Sequence, residues 1–391
     1  MNYIDRVKKR VEHPEIVSVL SQDMMWQKHG VTIWQAEKFE GTPTFYPVYN
    51  YKDYYSYSLL ALIVKKGFLN LNRQAYDIAK SEGFEISSNE TLIDNDIKRI
   101  GGATRFGNEI CDADEYCVKL AEAMKKDISL IEELNPGFTN VILCGGKDSL
   151  NMLLVPWKNP VVVYSAQPNF PLVQGFVKDN ELPFEVRELK DPTSEEHLQD
   201  EVAELCCRMN SRHWRWAMHV RQISEDYSNK IIIWKGQLGD RFFNPSWKTY
   251  IYPESQPKLF LCMVYKKLSP LLPLSLDKWI GEKIIKDVGQ THWNKGSIAQ
   301  GVHMGFMRAL ADCLVVSSYH GKNVMEAFSR VSLPDVVQSD IRDRIGAALF
   351  GKEVIYPLTN PSPKLEEKRS GAHHPDLFVN LLKINGIEVQ D

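Results

Sequence analysis

The sequence contains no C-x-x-C pair. Its seven cysteines, Cys111, Cys117, Cys144, Cys206, Cys207, Cys262 and Cys313, are odd in number and scattered. That pattern argues against a disulfide framework and against a tetrahedral zinc site built on paired thiolates. The cysteines read instead as reduced, buried small hydrophobes. No apolar run approaches the roughly 20 residues that span a bilayer. The opening residues MNYIDRVKKRVEHPEIV lack the apolar core of a secretory signal, so a cytoplasmic protein is expected. Net charge is also scarce: 47 Lys and Arg against 50 Asp and Glu leave -3. There is no overall electrostatic footprint for nucleic acid or an anionic membrane. Internal repeats and low-complexity tracts are missing too.

What is present is an ordinary globular composition over 391 residues, 43% hydrophobic and 25% charged, enough for two or three cores. Residues 1–110 are rich in aromatics (MMWQKHGVTIW, FYPVYNYKDYYSYSLLAL) and read as an accessory domain. Those rings either pack a core or line a surface for a substrate or partner. From 115 to 240, strands and helices alternate. EYCVKLAEAMKKDISLIEEL is an amphipathic helix, TNVILC, NPVVVYS, PFEVREL and IIIWKG are strands, and DSLNMLL, FPLVQGFVKDN and SEEHLQDEVAELCCRMN are helices. Alternation of this kind predicts an α/β fold with a parallel sheet covered on both faces. From 241 onward the pattern is mostly helical, with IAQGVHMGFMRALADCLVVSS read as one helical stretch, so residues 111–391 form the second predicted domain.

The stretch most loaded with chemistry is CGGKDS, at 144–149, where the first strand of the alternating block meets a helix. Ligands of parallel sheets sit beyond the strands' carboxyl ends, and glycines there let phosphate oxygens approach backbone N–H groups. The turn is not a Walker A loop: position 141 is Val, and Asp148 separates Lys147 from Ser149. It does not match G-x-G-x-x-G either. An aspartate beside a polyphosphate requires a cation between them, which points to Mg²⁺. The competing structural reading is a tight Gly145–Gly146 turn with Asp148 or Ser149 capping the helix.

CGGKDS resembles the S-G-G-x-D-S loop of the PP-loop ATP pyrophosphatases of the N type. WKGQLGDRFFNP, at 234–245, is similar to the G-E-G-x-D-E-L-F-G-G loop of the asparagine and β-lactam synthetases, and PSPKLEEKRSGAHHP, at 361–375, to their R-x-K-x-x-F-S-D-G-V-G segment. NETLIDNDIKRIGGATRFGNE, at 89–109, looks like the segment that leads into their synthetase domain. The resemblance covers roughly residues 90–380. It implies an adenine-nucleotide α-hydrolase-like sheet and an enzyme that adenylates a carboxylate with ATP, releases pyrophosphate, and passes the acyl group to an amine or ammonia. By the same resemblance Cys144, Gly145, Gly146, Lys147, Ser149, Gly236 and Gly239 bind the nucleotide phosphates, Val163 and Ser165 line the adenine, Asp148 and Asp240 bind Mg²⁺, and Lys364 and Tyr319 are catalytic.

The sequence departs from the family in ways that carry expectations of their own. Cys144 replaces a serine hydroxyl, while Gln237 and Arg241 stand where the synthetases have acids, so plain aspartate is not the expected substrate. Residue 2 is Asn rather than a catalytic Cys, and a full glutaminase domain is not expected ahead of the synthetase region. The acyl donor is expected to be a small-molecule or peptide carboxylate, and the nitrogen donor a substrate amine, free ammonia, or ammonia from a separate amidotransferase subunit. Neither a membrane nor a nucleic acid is expected as partner, and oligomeric state is left open. Two other readings stay open: a PP-loop enzyme that adenylates RNA or a nucleotide, with HWRWAMHVR (213–221) as its contact, and a paralogue that binds ATP without chemistry.

Overall fold

The computed structural model of the chain describes residues 3–27, 32–40, 48–82, 92–100, 113–190, 219–220, 222–224, 226–227, 230–236, 264, 268, 271–280, 313–328, 341–357 and 375–391. Its first part runs α1 (Tyr3–Val11), β1 (Glu15–Ile16), β2 (Val19–Ser21), α2 (Gln22–Trp26), β3 (Ile33–Gln35), β4 (Lys38–Glu40), β5 (Val48–Tyr51), β6 (Tyr54–Ser56), α3 (Leu59–Lys66), β7 (Phe68–Asn70), α4 (Arg73–Glu82) and β8 (Lys98–Ile100). A mixed sheet in the order β1-β3-β6-β5-β8 packs on α3. That helix begins where the Ser58 hydroxyl accepts from the Ala61 N–H, and it stops at Gly67, whose φ of 82° suits glycine. Trp26, Trp34, Tyr49, Tyr55 and Tyr57 are all buried, so these aromatics pack a core.

The second part runs α5 (Ala113–Leu134), β9 (Thr139–Cys144), α6 (Lys147–Leu150) with a 3-10 turn at Asn151–Leu154, β10 (Val161–Ala166), α7 (Phe170–Asp179), β11 (Val186–Leu189), β12 (Ile231–Lys235), α8 (Leu274–Ile280), β13 (Leu314–Ser317), α9 (Lys322–Phe328), α10 (Ile341–Phe350), α11 (Pro375–Ile384) and β14 (Glu388–Gln390). Among the described residues these strands make a five-stranded, all-parallel sheet in the order β11-β10-β9-β12-β13. The fold is α/β, as expected. Val141, Ile142, Ile232, Ile233, Val315 and Val316 are essentially unexposed, the mark of strands covered on both faces.

The run CLVVSS is a correction. It was expected to be helical, yet Leu314–Ser317 is the outermost strand, paired in register with Ile232–Lys235. Two adjacent β-branched valines beside the isoleucine-rich β12 gain more from sheet burial than from continuing a helix. The expected helix over 194–210 and the 213–221 contact lie wholly or mostly outside the described residues.

Polar bonds lock the layers around the sheet. Asn140, wholly buried on β9, donates to Glu132 of α5 at 2.7 Å and accepts from the Trp234 indole of β12 at 2.8 Å. Glu132 also accepts the backbone N–H groups of Lys158 and Asn159, so this buried network is well supplied with partners. Residues 375–391 turn back to the first part: β14 pairs in parallel with β7, and Lys8 donates to the Asn385 carbonyl. No helix among the described residues is long and apolar enough to cross a membrane.

Candidate active site

In chain order the strands of the parallel sheet stand third, second, first, fourth, fifth, so the order reverses between β9 and β12. At such a reversal the connections leave toward opposite faces, and a crevice opens beyond the carboxyl ends of the two strands. CGGKDS follows β9, and WKGQLGD follows β12, its neighbour. The CGGKDS backbone and Gly236, the first glycine of the second motif, therefore meet at the crevice.

The turn after β9 is folded on its own polar groups. Gly146 has φ 143° and ψ -167°, a conformation open essentially to glycine alone. The Ser149 hydroxyl donates to the Gly146 carbonyl at 2.7 Å and accepts from the Gly145 N–H at 3.0 Å. The serine, 4% exposed, is thus committed to shaping the turn. The N–H groups of Lys147 and Asp148 stand at the open start of α6, where helix geometry provides no acceptor. A concave backbone of this kind attracts an anion. The side chains of Lys147 and Asp148 lie outside the described residues.

Gly236 seals the crevice from the other side. A Cβ at this position would sit 2.5 Å from the Cα of Ser149 and 2.8 Å from its N, so the end of β12 presses directly on the β9 turn. Gly239, Asp240, Gln237, Arg241 and Lys364 lie outside the described residues. Among the described residues no group of three or more His, Cys, Asp or Glu side chains gathers as a metal site.

Three of the expected nucleotide ligands are placed in the interior. Cys144 is wholly buried; its thiol lies 3.9 Å from the Ser149 carbonyl, and burial pushes its pKa up to about 12. Ser165, also unexposed, donates to the Cys144 carbonyl at 2.8 Å and staples β10 to β9. Val163 is buried within β10, between Ile142 and Val186. Tyr319 is fully buried too, on the 3-10 turn that follows β13, with its backbone N–H donating to the Ser317 hydroxyl.

Two residues at the crevice were missed by sequence reasoning. Lys235 ends β12 at 6% exposure, and burial lowers its pKa to about 7. A lysine that closes an isoleucine-rich strand just before a glycine was the available signal. Asn169 opens α7 after β10, is 6% exposed, and donates through Nδ2 to the Gly145 carbonyl at 2.9 Å. Its Oδ1 has no hydrogen-bond donor among the described residues; the same is true of Ser318 Oγ beyond β13. Both orphan oxygens lie past the carboxyl ends of sheet strands.

No family model matches the chain, and no curated protein matches its sequence. The family resemblance rests on the motifs and their order.

Proposed function

We propose that the chain is an ATP-dependent, AMP-forming amide ligase of the asparagine-synthetase-like kind, on an adenine-nucleotide α-hydrolase-like sheet. The observation that carries the reading is the packing of Gly236 on Ser149, which brings the CGGKDS turn and the start of the second glycine motif together at the reversal of strand order. In this reading the Gly145–Gly146 turn receives the phosphates through main-chain N–H groups, and Ser149 keeps the turn in shape. Asp148 and Asp240 are the carboxylates that would hold Mg²⁺, which when bound neutralises charge on pyrophosphate. Lys147 and Lys364 would place positive charge where negative charge builds up in the transition state.

The chemistry balances without a redox partner. A carboxylate oxygen of the substrate bonds to the α-phosphorus of ATP as the α–β anhydride bond breaks, and pyrophosphate leaves with that electron pair. The nitrogen of an amine or ammonia then bonds to the acyl carbon, AMP departs, and the nitrogen loses a proton. The products are an amide or lactam, AMP and pyrophosphate. The acyl donor is a small-molecule or peptide carboxylate, and ammonia can come from a separate amidotransferase subunit.

The test is exchange of labelled pyrophosphate into ATP, screened over amino acids, peptides and nucleotides. One class of carboxylate should support exchange, and Asp148→Ala should lose it. A chain that binds ATP yet exchanges with no carboxylate is not a ligase of this kind.

A further inference from the structure

An asparagine at the start of a helix ordinarily turns its side-chain oxygen onto the first free N–H groups. Asn169 does not. Its backbone is already helical (φ -85°, ψ -14°), and it makes no side-chain cap bond to α7. The amide reaches instead across the sheet end, where Nδ2 donates to the Gly145 carbonyl at 2.9 Å. That bond sets the orientation of the amide, because the flipped group would bring two oxygens together. It also leaves Oδ1 as a buried acceptor with no donor among the described residues. Buried acceptors are nearly always paired, and beside the crevice a bound ligand is a ready source of the donor that the described residues do not supply.

The chemistry of that donor is restricted. Phosphate oxygens of a nucleotide are acceptors at neutral pH, and the N–H groups of the turn suit them, whereas an amide oxygen does not. On ATP the donors are the ribose hydroxyls and the purine amino group. We propose that Asn169 is a nucleoside-recognition residue: Nδ2 holds the Gly145 carbonyl, and Oδ1 accepts from a ribose hydroxyl or the purine amino group. This inference takes the identity of the ligand from the ligase reading, and adds a residue that the glycine motifs do not contain.

The test measures dissociation constants of ATP, its 2′-deoxy and 3′-deoxy analogues, the purine riboside triphosphate that lacks the amino group, and pyrophosphate, on the wild-type chain and on Asn169→Leu. The wild type should bind one of the three analogues about tenfold more weakly than ATP. Asn169→Leu should bind ATP about tenfold more weakly, no longer distinguish that analogue from ATP, and lose clearly less affinity for pyrophosphate than for ATP. Which analogue is affected separates the ribose from the purine as the donor. Equal binding of all analogues by the wild type overturns the proposal, even if the variant does not fold. Equal weakening of every ligand, pyrophosphate included, also overturns it, since a merely structural clamp gives that result. If the chain binds neither ATP nor pyrophosphate, this inference falls together with the ligase reading. If ATP binds with the expected discrimination but no carboxylate supports exchange, the ligase reading alone falls.

Discussion

Gly236, at the end of β12, packs so tightly on Ser149, at the first turn of α6, that a methyl group there would overlap the serine backbone at 2.5 Å from its Cα. The obstacle is main chain on both sides, so no flexible side chain can move away. Gly236→Ala must push β12 from the β9 turn or distort Gly146. A loss of about 1–3 kcal/mol is expected, as for overpacking elsewhere. On the proposed reading ATP affinity should fall about tenfold or more, because the turn assigned to the phosphates moves. Urea unfolding together with nucleotide titration checks this. An alanine variant with unchanged midpoint and affinity would show that the two motifs do not share a site.

Burial of Lys235 at the end of β12 makes stability depend on pH. Burial holds its pKa at about 7, against 10.5 for the unfolded chain. Between those values the unfolded chain binds the extra proton, so stability rises with pH from about 7 to about 10.5 and is lower below that window. Lys235→Met should therefore raise the melting temperature near pH 6 and flatten its rise toward pH 9, an effect on the order of a few kcal/mol. Melting curves of both proteins across that range test it. Parallel curves would mean that the lysine is not desolvated.

How far these features could be read from residues alone depends on how local their causes are. TNVILC, VVVYS and IIIWK announce themselves because each is a short run of β-branched and apolar residues bounded by turn formers, and those runs are β9, β10 and β12. CGGKDS stands out because two glycines, a lysine and an acid at a strand end have few structural uses. β13 was missed because its valines follow an amphipathic run, and only the edge of β12 makes them a strand. Asn169 was missed for the same kind of reason: an asparagine before a helix reads as a cap, and its real partner, Gly145, is 24 residues away in sequence. Gly236 was marked as a glycine of a motif, but nothing in the sequence shows that it must be glycine because of Ser149.

Asp127 shows how a buried charge can be built into the scaffold that carries the sheet. On α5 it accepts the N–H groups of Asn323 and Val324 and the Asn323 amide, which caps the first turn of α9 from a different helix. Gly321 allows this approach, because a Cβ there would collide with the carboxylate. Burial raises the Asp127 pKa above 3.8, and the donors from Asn323 and Val324 offset part of that rise. A raised folded value means that its contribution is fully present below the unfolded pKa and declines as pH rises through the folded one. Asp127→Ala, which strips three donors of their acceptor, is expected to cost about 2–4 kcal/mol near neutral pH. The difference from wild type should widen in wild type's favour as pH falls toward 4. Denaturant titrations at three pH values suffice, and a gap that narrows on acidification would contradict the assignment.

Cys144 stands where the PP-loop motif that CGGKDS resembles has a serine, and its position in the core decides what that difference means. The thiol is buried with its pKa pushed up to about 12, so almost none of it is thiolate at pH 8, and the reagent cannot reach it. Iodoacetamide should therefore leave Cys144 unmodified in the native chain and modify it once urea unfolds the protein, which peptide mass spectrometry reads directly. Because the side chain at 144 lies in the interior, Cys144→Ser should change ATP affinity by less than about threefold. It should cost about 1–3 kcal/mol of stability, since a hydroxyl demands more of the apolar surroundings than a thiol. A large gain in ATP affinity from Cys144→Ser would mean that residue 144 turns toward the phosphates in the working state, and the core-facing position described above would then be a resting conformation of the turn.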